Sequence, residues 1–341
     1  MRETTDPSTL DRRTFLQLTG GAAAAGILGT AGLDVSPAHA ASVAPRFVGD
    51  PGPRRLYYGA ATGRTATGGS LTMSEFESQI QMRCGTRRSF ASTSDAWQSL
   101  VARAAEDVAA NRYPMLSIKP PGSWRSVAEG RHNAWLDLLL AGLAALDAPL
   151  SLTVHHEPEE DADGGENTPQ WHRRMTDFIY ARAATRAPKV TVLQILMRWT
   201  FDTRSGRPAA EWVSTATSAF GVDMYNPWEP GTRKQWLSFE QMLTPVLPFA
   251  GTRPIFIPEQ GSRTDPANPA QAERWMTEAL TTAINHNVVC MAYFHVWPPG
   301  IAHPYALDAP RLTGFRKVLA DNRTIGGLGA SPIAKASPSR H

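Results

Sequence analysis

The chain has 341 residues, a formal net charge of +3 and two cysteines. That length suits one large core, and the sparse cysteines exclude a disulfide-built scaffold. With no Lys/Arg run and no alternation of basic and aromatic residues, the mild positive charge argues against nucleic acid or another polyanion as partner.

Residues 1–40 read as a twin-arginine export signal. Arg12-Arg13 stands before Phe15 and Leu16, a weakly apolar Gly/Ala-rich stretch runs from Leu18 to Leu33, and Ala38-His39-Ala40 is a small-residue cleavage motif. The stretch falls short of the roughly 18–20 strongly apolar residues of a membrane span, so no membrane association is expected after cleavage. Cleavage removes Arg2, Arg12 and Arg13 with Glu3, Asp6, Asp11 and Asp34, taking the net charge from +3 to +4. Composition makes 41–53 a Pro/Gly linker and 322–341 a flexible tail, leaving 54–321 as the folded domain.

Within that domain apolar runs alternate with helical patterns. Leu56–Ala60 reads as a strand and Ser74–Met82 as a helix. Arg88–Ala91, the weakest strand, precedes a helix over Asp95–Ala110 with Ser94 as its N-cap and Trp97, Leu100, Val101 and Ala104 on its apolar side. Pro114–Lys119 is the third strand, followed by a helix through Trp135–Leu140. Pro149–Pro158 carries the fourth strand and Gln170–Ala187 the next helix. Val190–Met197 is the fifth strand, Pro208–Val213 a short helix, Phe220–Tyr225 the sixth strand and Phe239–Val246 a helix. Pro254–Gly261 is the seventh strand before a helix over Ala270–Ile284, and Val288–Phe294 the eighth before a last helix at Leu312–Leu319. Cys290 lies inside that apolar run, and it and Cys84 are expected to be free thiols. Strict alternation of this kind predicts a (β/α)8 TIM barrel. No G-x-G-x-x-G follows a strand as a doubly wound dinucleotide fold requires.

Barrel chemistry gathers at the C-terminal ends of strands. Two glutamates arrive there, Glu157 after the fourth strand and Glu259 at the end of the seventh, on opposite sides of the barrel mouth. Paired carboxylates are what glycosidic cleavage needs, one protonated toward the leaving oxygen and one ionised toward the oxocarbenium-like centre. Other strand ends supply Lys119, Arg198, Trp199, Asp223, Tyr225, Trp228, His295 and Trp297. By alternation Asp223 and Tyr225 share one face, as do Tyr293, His295 and Trp297.

His156-Glu157, Tyr225, Glu259 and Trp297 in this order resemble clan A glycoside hydrolases, the retaining barrel enzymes. Most of that clan has Asn before the fourth-strand glutamate. His156 in that place is similar to glycoside hydrolase family 26, the mannanase-like family. The chain departs from it in Pro158-Glu159-Glu160-Asp161, where the family usually carries Met-Asn-Gly, and in Pro258-Glu259-Gln260-Gly261, which bears on mannan specificity more than on the chemistry. The resemblance implies Glu157 as general acid/base and Glu259 as nucleophile, with Tyr225 hydrogen-bonded to Glu259 and His156 at the sugar or beside Glu157. It also implies Trp297, with Trp199 and Trp228, as sugar platforms. A secreted monomer acting on a β-linked polysaccharide or oligosaccharide without cofactor is the resulting expectation.

Each candidate has a plainer reading. A barrel that binds glycan without cleaving it would keep most of these residues, and a strand-end glutamate can pair structurally with Lys119 or Arg198. Glu159, Glu160, Asp161 and Asp163 read as a solvated acidic loop. Trp97, Trp135, Trp171, Trp212, Trp236 and Trp275 fall in helical patterns and suit outer packing, whereas Trp124 follows a strand, where exposure is expected. Adjacent histidines on a strand point to opposite faces and no H-E-x-x-H helix exists, so no metal centre is expected. Neither G-x-S-x-G nor a P-loop occurs.

Overall fold

The computed structural model describes residues 47–328. The export-signal reading, the first half of the linker and 329–341 lie outside the described residues. In chain order the strands are β1 Leu56–Thr62, β2 Thr86–Ala91, β3 Tyr113–Ile118, β4 Leu150–Val154, β5 Val190–Val192, β6 Ile195–Met197, β7 Phe220–Tyr225, β8 Ile255–Gly261, β9 Val288–His295 and β10 Thr324–Ile325. The helices are α1 Met73–Ile80, α2 Trp97–Ala109, α3 Trp124–Ala128, α4 Asn133–Ala144, α5 Pro169–Arg186, α6 Ala209–Trp212, α7 Phe239–Leu243, α8 Leu247–Ala250, α9 Pro269–Asn285 and α10 Ala309–Ala320.

All strand pairs are parallel, in the order β5-β4-β3-β2-β1-β9-β8-β7-β6. The two ends of that path are halves of one predicted strand, Val190–Met197, interrupted at Leu193-Gln194. Leu193 N–H donates to Leu152 O on β4, and Gly221 N–H on β7 donates to Gln194 O. One interrupted segment thus bonds both neighbours and closes an eight-position (β/α)8 barrel. The break has a local cause: the Gln194 side chain turns outward to accept from Ser214 N–H and donate to Trp212 O, tying the strand to the α6 loop.

Alternation divides the apolar residues into two layers. Leu56, Tyr58 and Ala60, Leu116 and Ile118, and Phe220, Val222 and Met224 face the helices, where Leu100, Leu139, Ile179, Trp275 and Phe315 meet them. Tyr57, Tyr113, Met115, Ile195, Phe256, Cys290 and Ala292 fill the barrel interior. Both cysteines are buried free thiols, and Cys290 Sγ packs on Met115 Sδ. Two segments expected to be loose join this inner layer. Phe47 packs on Phe256, and Thr324–Ile325 pairs with β1 at Leu56 and Tyr57. The tail composition hid a β-branched pair held by Thr324 Oγ1–H donating to Val318 O.

Other boundaries shift for local reasons. Ser94 opens a 3-10 turn, Ser94–Ala96, rather than capping α2. α3 was not expected from the periodicity and is started by Ser123, whose hydroxyl accepts from Ser126 N–H. The predicted Phe239–Val246 helix stops at Leu243, and α8 resumes with Pro248 in its first turn. Trp236 lies in a loop and not in a helix, against Trp228. Trp124 is 1% exposed, enclosed by His155, His172 and Trp212.

β8 carries one residue more than either neighbour between its paired positions: Phe256 to Gln260 spans Gly221 to Met224 on β7, and Ile257 to Gln260 spans Met291 to Tyr293 on β9. This is a bulge at Pro258-Glu259, and Pro258, which has no N–H to donate, sits where the ladder is broken. It aims Glu259 into the barrel.

Candidate active site

At the C-terminal end of the interior, β2 contributes Arg88 and Phe90, β7 Asp223 and Tyr225, β8 Glu259 and β9 Phe294. Glu259 is only 1% exposed. It sits below the rim, with β8 continuing past it through Gly261, rather than at a turn as its sequence suggested. Tyr225 Oη donates to Glu259 Oε2 at 2.6 Å, Arg88 Nη2 donates to Oε1 at 3.4 Å, and His156 Nε2 lies 3.8 Å from the same oxygen. Arg88 also lies 4.3 Å over the Phe90 ring, which packs on His156 and edge-on to Phe294. Asp223 is buried beside this cluster. Burial first, then the charges of Glu259 and Glu157, push its carboxyl far above the usual range.

Glu157 reaches the cluster from a turn. β4 ends at Val154, and both His155 (φ 63°) and Glu157 (φ 46°) are left-handed without being glycine. Such conformations cost on the order of 1 kcal/mol or more each and persist where surrounding contacts fix them. Here Glu157 N–H donates to Ile195 O at 3.0 Å. The two histidines do point apart. His155 turns outward, Nδ1 accepting from Trp124 Nε1–H at 2.7 Å and Nε2–H donating to Asp161 at 2.6 Å, while His156 turns toward Glu259. The half-buried Glu157 carboxyl belongs to the same electrostatic neighbourhood as Glu259, since both act on Asp223.

Of the predicted site residues, the structure brings Glu157, Glu259, His156, Tyr225 and Asp223 together. Lys119 instead pairs with Asp161 at 3.0 Å, and Arg198 with Asp202 at 3.0 Å, so neither is the structural partner of a strand-end glutamate. His155 first, and Lys119 with it, hold Asp161 well below the usual carboxylate range. Trp199 lies under Arg204, and Trp228 packs on Trp236. Trp297 is half-buried after β9, its backbone N–H donating to Arg64 O. His295 does not face the interior. Together with Tyr293 it lies on the outward side of β9, packed on Phe76, with Nδ1 accepting from Leu307 N–H, and burial lowers it to about 4. Phe294 between them takes the inward position.

Arg88 was not identified from the sequence, although its alternation with Phe90 in the weakest predicted strand places it inside. Tyr305, in the loop after β9, packs against Tyr225 with ring centroids 4.5 Å apart and tilted by 35°, and lies beneath Arg263. Gly261 allows this approach, because a Cβ there would lie 2.9 Å from Tyr305. Glu159 belies its place in the supposedly solvated loop: it is 6% exposed and accepts from Met197 N–H and Thr200 Oγ1–H. Burial pushes its carboxyl up to about 7.

No protein-family model and no curated protein sequence matches the chain. Solved structures do. A double mutant of an endo-β-1,4-mannanase from Cellulomonas fimi is 16% identical with a TM-score of 0.53, over 81% of this chain and 74% of that one. A structure of a modular endo-β-1,4-mannanase from the same organism, which refers to glycoside hydrolase family 26 mannanases, is 14% identical with a TM-score of 0.50, over 84% and 76%. A GH5-4 broad specificity endoglucanase from Clostridium longisporum is 12% identical with a TM-score of 0.54, over 78% and 97%. The chain therefore has the (β/α)8 barrel fold found in these glycoside hydrolases.

Proposed function

We propose that the protein is a retaining glycoside hydrolase acting on a β-linked polysaccharide, with Glu157 as acid/base and Glu259 as nucleophile. The observation that carries this reading is Glu259 itself, a carboxyl buried at the C-terminal end of the barrel and held by a tyrosine hydroxyl, with the fourth-strand Glu157 sharing its electrostatic neighbourhood. In the first step Glu259 attacks the anomeric carbon while Glu157 gives its proton to the leaving oxygen. In the second, Glu157 takes a proton from water, which displaces Glu259 with net retention. Tyr225 and Arg88 orient the attacking carboxylate, and the neutral form favoured at Asp223 keeps a further negative charge away from it.

The fold relatives are named endo-β-1,4-mannanase and broad specificity endoglucanase, which supports mannans and glucans as first substrates to try. Export through the twin-arginine route is part of the proposal and rests on Arg12-Arg13 and Ala38-His39-Ala40. Purified residues 41–341 incubated with galactomannan, glucomannan, xyloglucan and carboxymethyl-cellulose should release reducing ends with the β configuration retained by NMR. Glu259→Gln should keep the fold and abolish turnover, because an amide forms no glycosyl ester. Retention of more than a few per cent of activity in that variant refutes the assignment. Glycan binding with no release from any polymer selects the non-catalytic barrel.

A further inference from the structure

Glu159 is a buried carboxyl two residues past Glu157 that the mechanism above does not use. Its Oε1 accepts from Met197 N–H at 2.9 Å, at the end of β6, and from Thr200 Oγ1–H at 2.7 Å, in the 3-10 turn Arg198–Phe201. Its Oε2 is buried without a hydrogen-bond partner. Among the described residues no cation is salt-bridged to it; Arg207, which also reaches Thr200 Oγ1 at 3.5 Å, is the charge that acts on it. Burying a carboxyl in this way is costly and does little for stability alone. The cost falls beside a second one, the left-handed backbone of Glu157. Strained turns of that kind hold their shape only when several contacts fix them. Two fix this one to the fifth barrel strand: Glu157 N–H on Ile195 O, and the Glu159 carboxylate on Met197 and Thr200.

We propose that Glu159 is a positioning residue for Glu157: by pinning the turn to the end of β6 and to the Arg198–Phe201 turn, it fixes the direction in which Glu157 presents its carboxyl. This rests on the reading of Glu157 as acid/base, and its structural half stands apart from that reading. A displaced acid penalises departure of a poor leaving group, which needs a proton, and spares one that leaves as an anion. Glu159 therefore acts on the proton transfers of Glu157, the leaving-group dependence appearing in the first of them, and leaves substrate binding alone.

Two measurements test it. In amide hydrogen exchange of the folded protein, Glu159→Leu should lower protection of a peptide spanning 155–161 by tenfold or more, while a peptide over β3, whose neighbour β4 lies on the same side, stays unchanged. Unaltered protection at 155–161 overturns the proposal whatever the activity, as does loss spread equally over both peptides. In kinetics, Glu159→Leu should lower kcat on an unactivated mannan or glucan oligosaccharide by about 10- to 100-fold with KM little changed, an effect sized from misplacing a catalytic group. On a 2,4-dinitrophenyl β-glycoside kcat/KM, which reports the first step alone, should fall less than threefold, whereas kcat there also carries the base role of Glu157 in the second step. Glu159→Gln, which keeps an acceptor for Met197 and Thr200, should recover the greater part of the rate. Equal loss of kcat/KM on both substrates, or loss confined to KM, overturns the positioning role. If Glu157→Ala lacks the same leaving-group dependence, the acid/base assignment fails instead, and the exchange result then decides the structural half alone.

Discussion

Arg88→Met puts the barrel interior to a quantitative test. The guanidinium and the Glu259 carboxylate are both removed from water, with side-chain exposures of 0% and 1%. Replacing the arginine by an apolar side chain of similar length keeps most of the volume and leaves Glu259 with an uncompensated charge. Breaking a buried pair from one side costs about 3–5 kcal/mol, and loss of the contact over Phe90 at 4.3 Å adds to it. In a domain of this size that is a fall in Tm on the order of 10 °C. Urea unfolding followed by far-UV circular dichroism at pH 7.5 measures the loss, and Arg88→Lys, keeping the charge with a shorter reach, should fall between. A variant within about 0.5 kcal/mol of the parent refutes the reasoning from which that estimate comes.

Tyr225→Phe removes the hydroxyl from which Glu259 accepts at 2.6 Å, a charge-assisted bond worth about 1.5–3 kcal/mol, so kcat should fall about 10- to 150-fold; a loss under threefold would detach Tyr225 from the nucleophile role proposed for Glu259. Glu159 shapes stability with pH. Its carboxyl rises from 4.5 to about 7 on folding, so the folded state holds the proton more tightly. Its stabilising contribution is complete below the unfolded value and is lost as pH climbs toward 7, a drop of about 3 kcal/mol. Glu159→Gln should flatten that slope in urea unfolding between pH 4.5 and 8, and an unchanged slope would assign it to another group. Trp297→Ala should cost about 1–3 kcal/mol in kcat/KM with Tm little altered if the indole is a sugar platform. A large drop in Tm would make it core packing instead. Replacing Arg12 and Arg13 together by Lys should hold the full-length protein in the cytoplasm, read by fractionation, since the export receptor recognises the guanidinium pair.

The barrel was legible because all the predicted strands but the second are short apolar runs and the helices between them carry apolar residues at helical spacing. Phe220–Tyr225 is found where its pattern places it. Interior polar residues were harder to read. Arg88 breaks the apolar character of β2, so the feature that makes it informative also weakened the strand that presents it. His295 shows the converse failure: alternation along β9 correctly grouped it with Tyr293, yet nothing local says which face is inward, and only the packing of Phe76 against it decides. Glu159 lies in a run of acids whose composition suggests solvent. Its burial comes from the 3-10 turn that folds Met197 and Thr200 over it, a tertiary event with no local signature.

Phe47 and Leu328, near the two ends of the described chain, both pack into the inner layer at the N-terminal end of the strands. Glu259 and Tyr225 lie at the other end. A tag, a fused module or a solid support joined directly at Phe47 or at Leu328 therefore attaches to the floor of the barrel. The mouth is left facing outward, so an immobilised preparation should keep its access to long, insoluble chains. Because Phe47 and Leu328 belong to one packed layer, joining the chain through them and reopening it at the exposed Gly164-Gly165 loop is a route to circular permutants in which the strand order around the barrel is undisturbed.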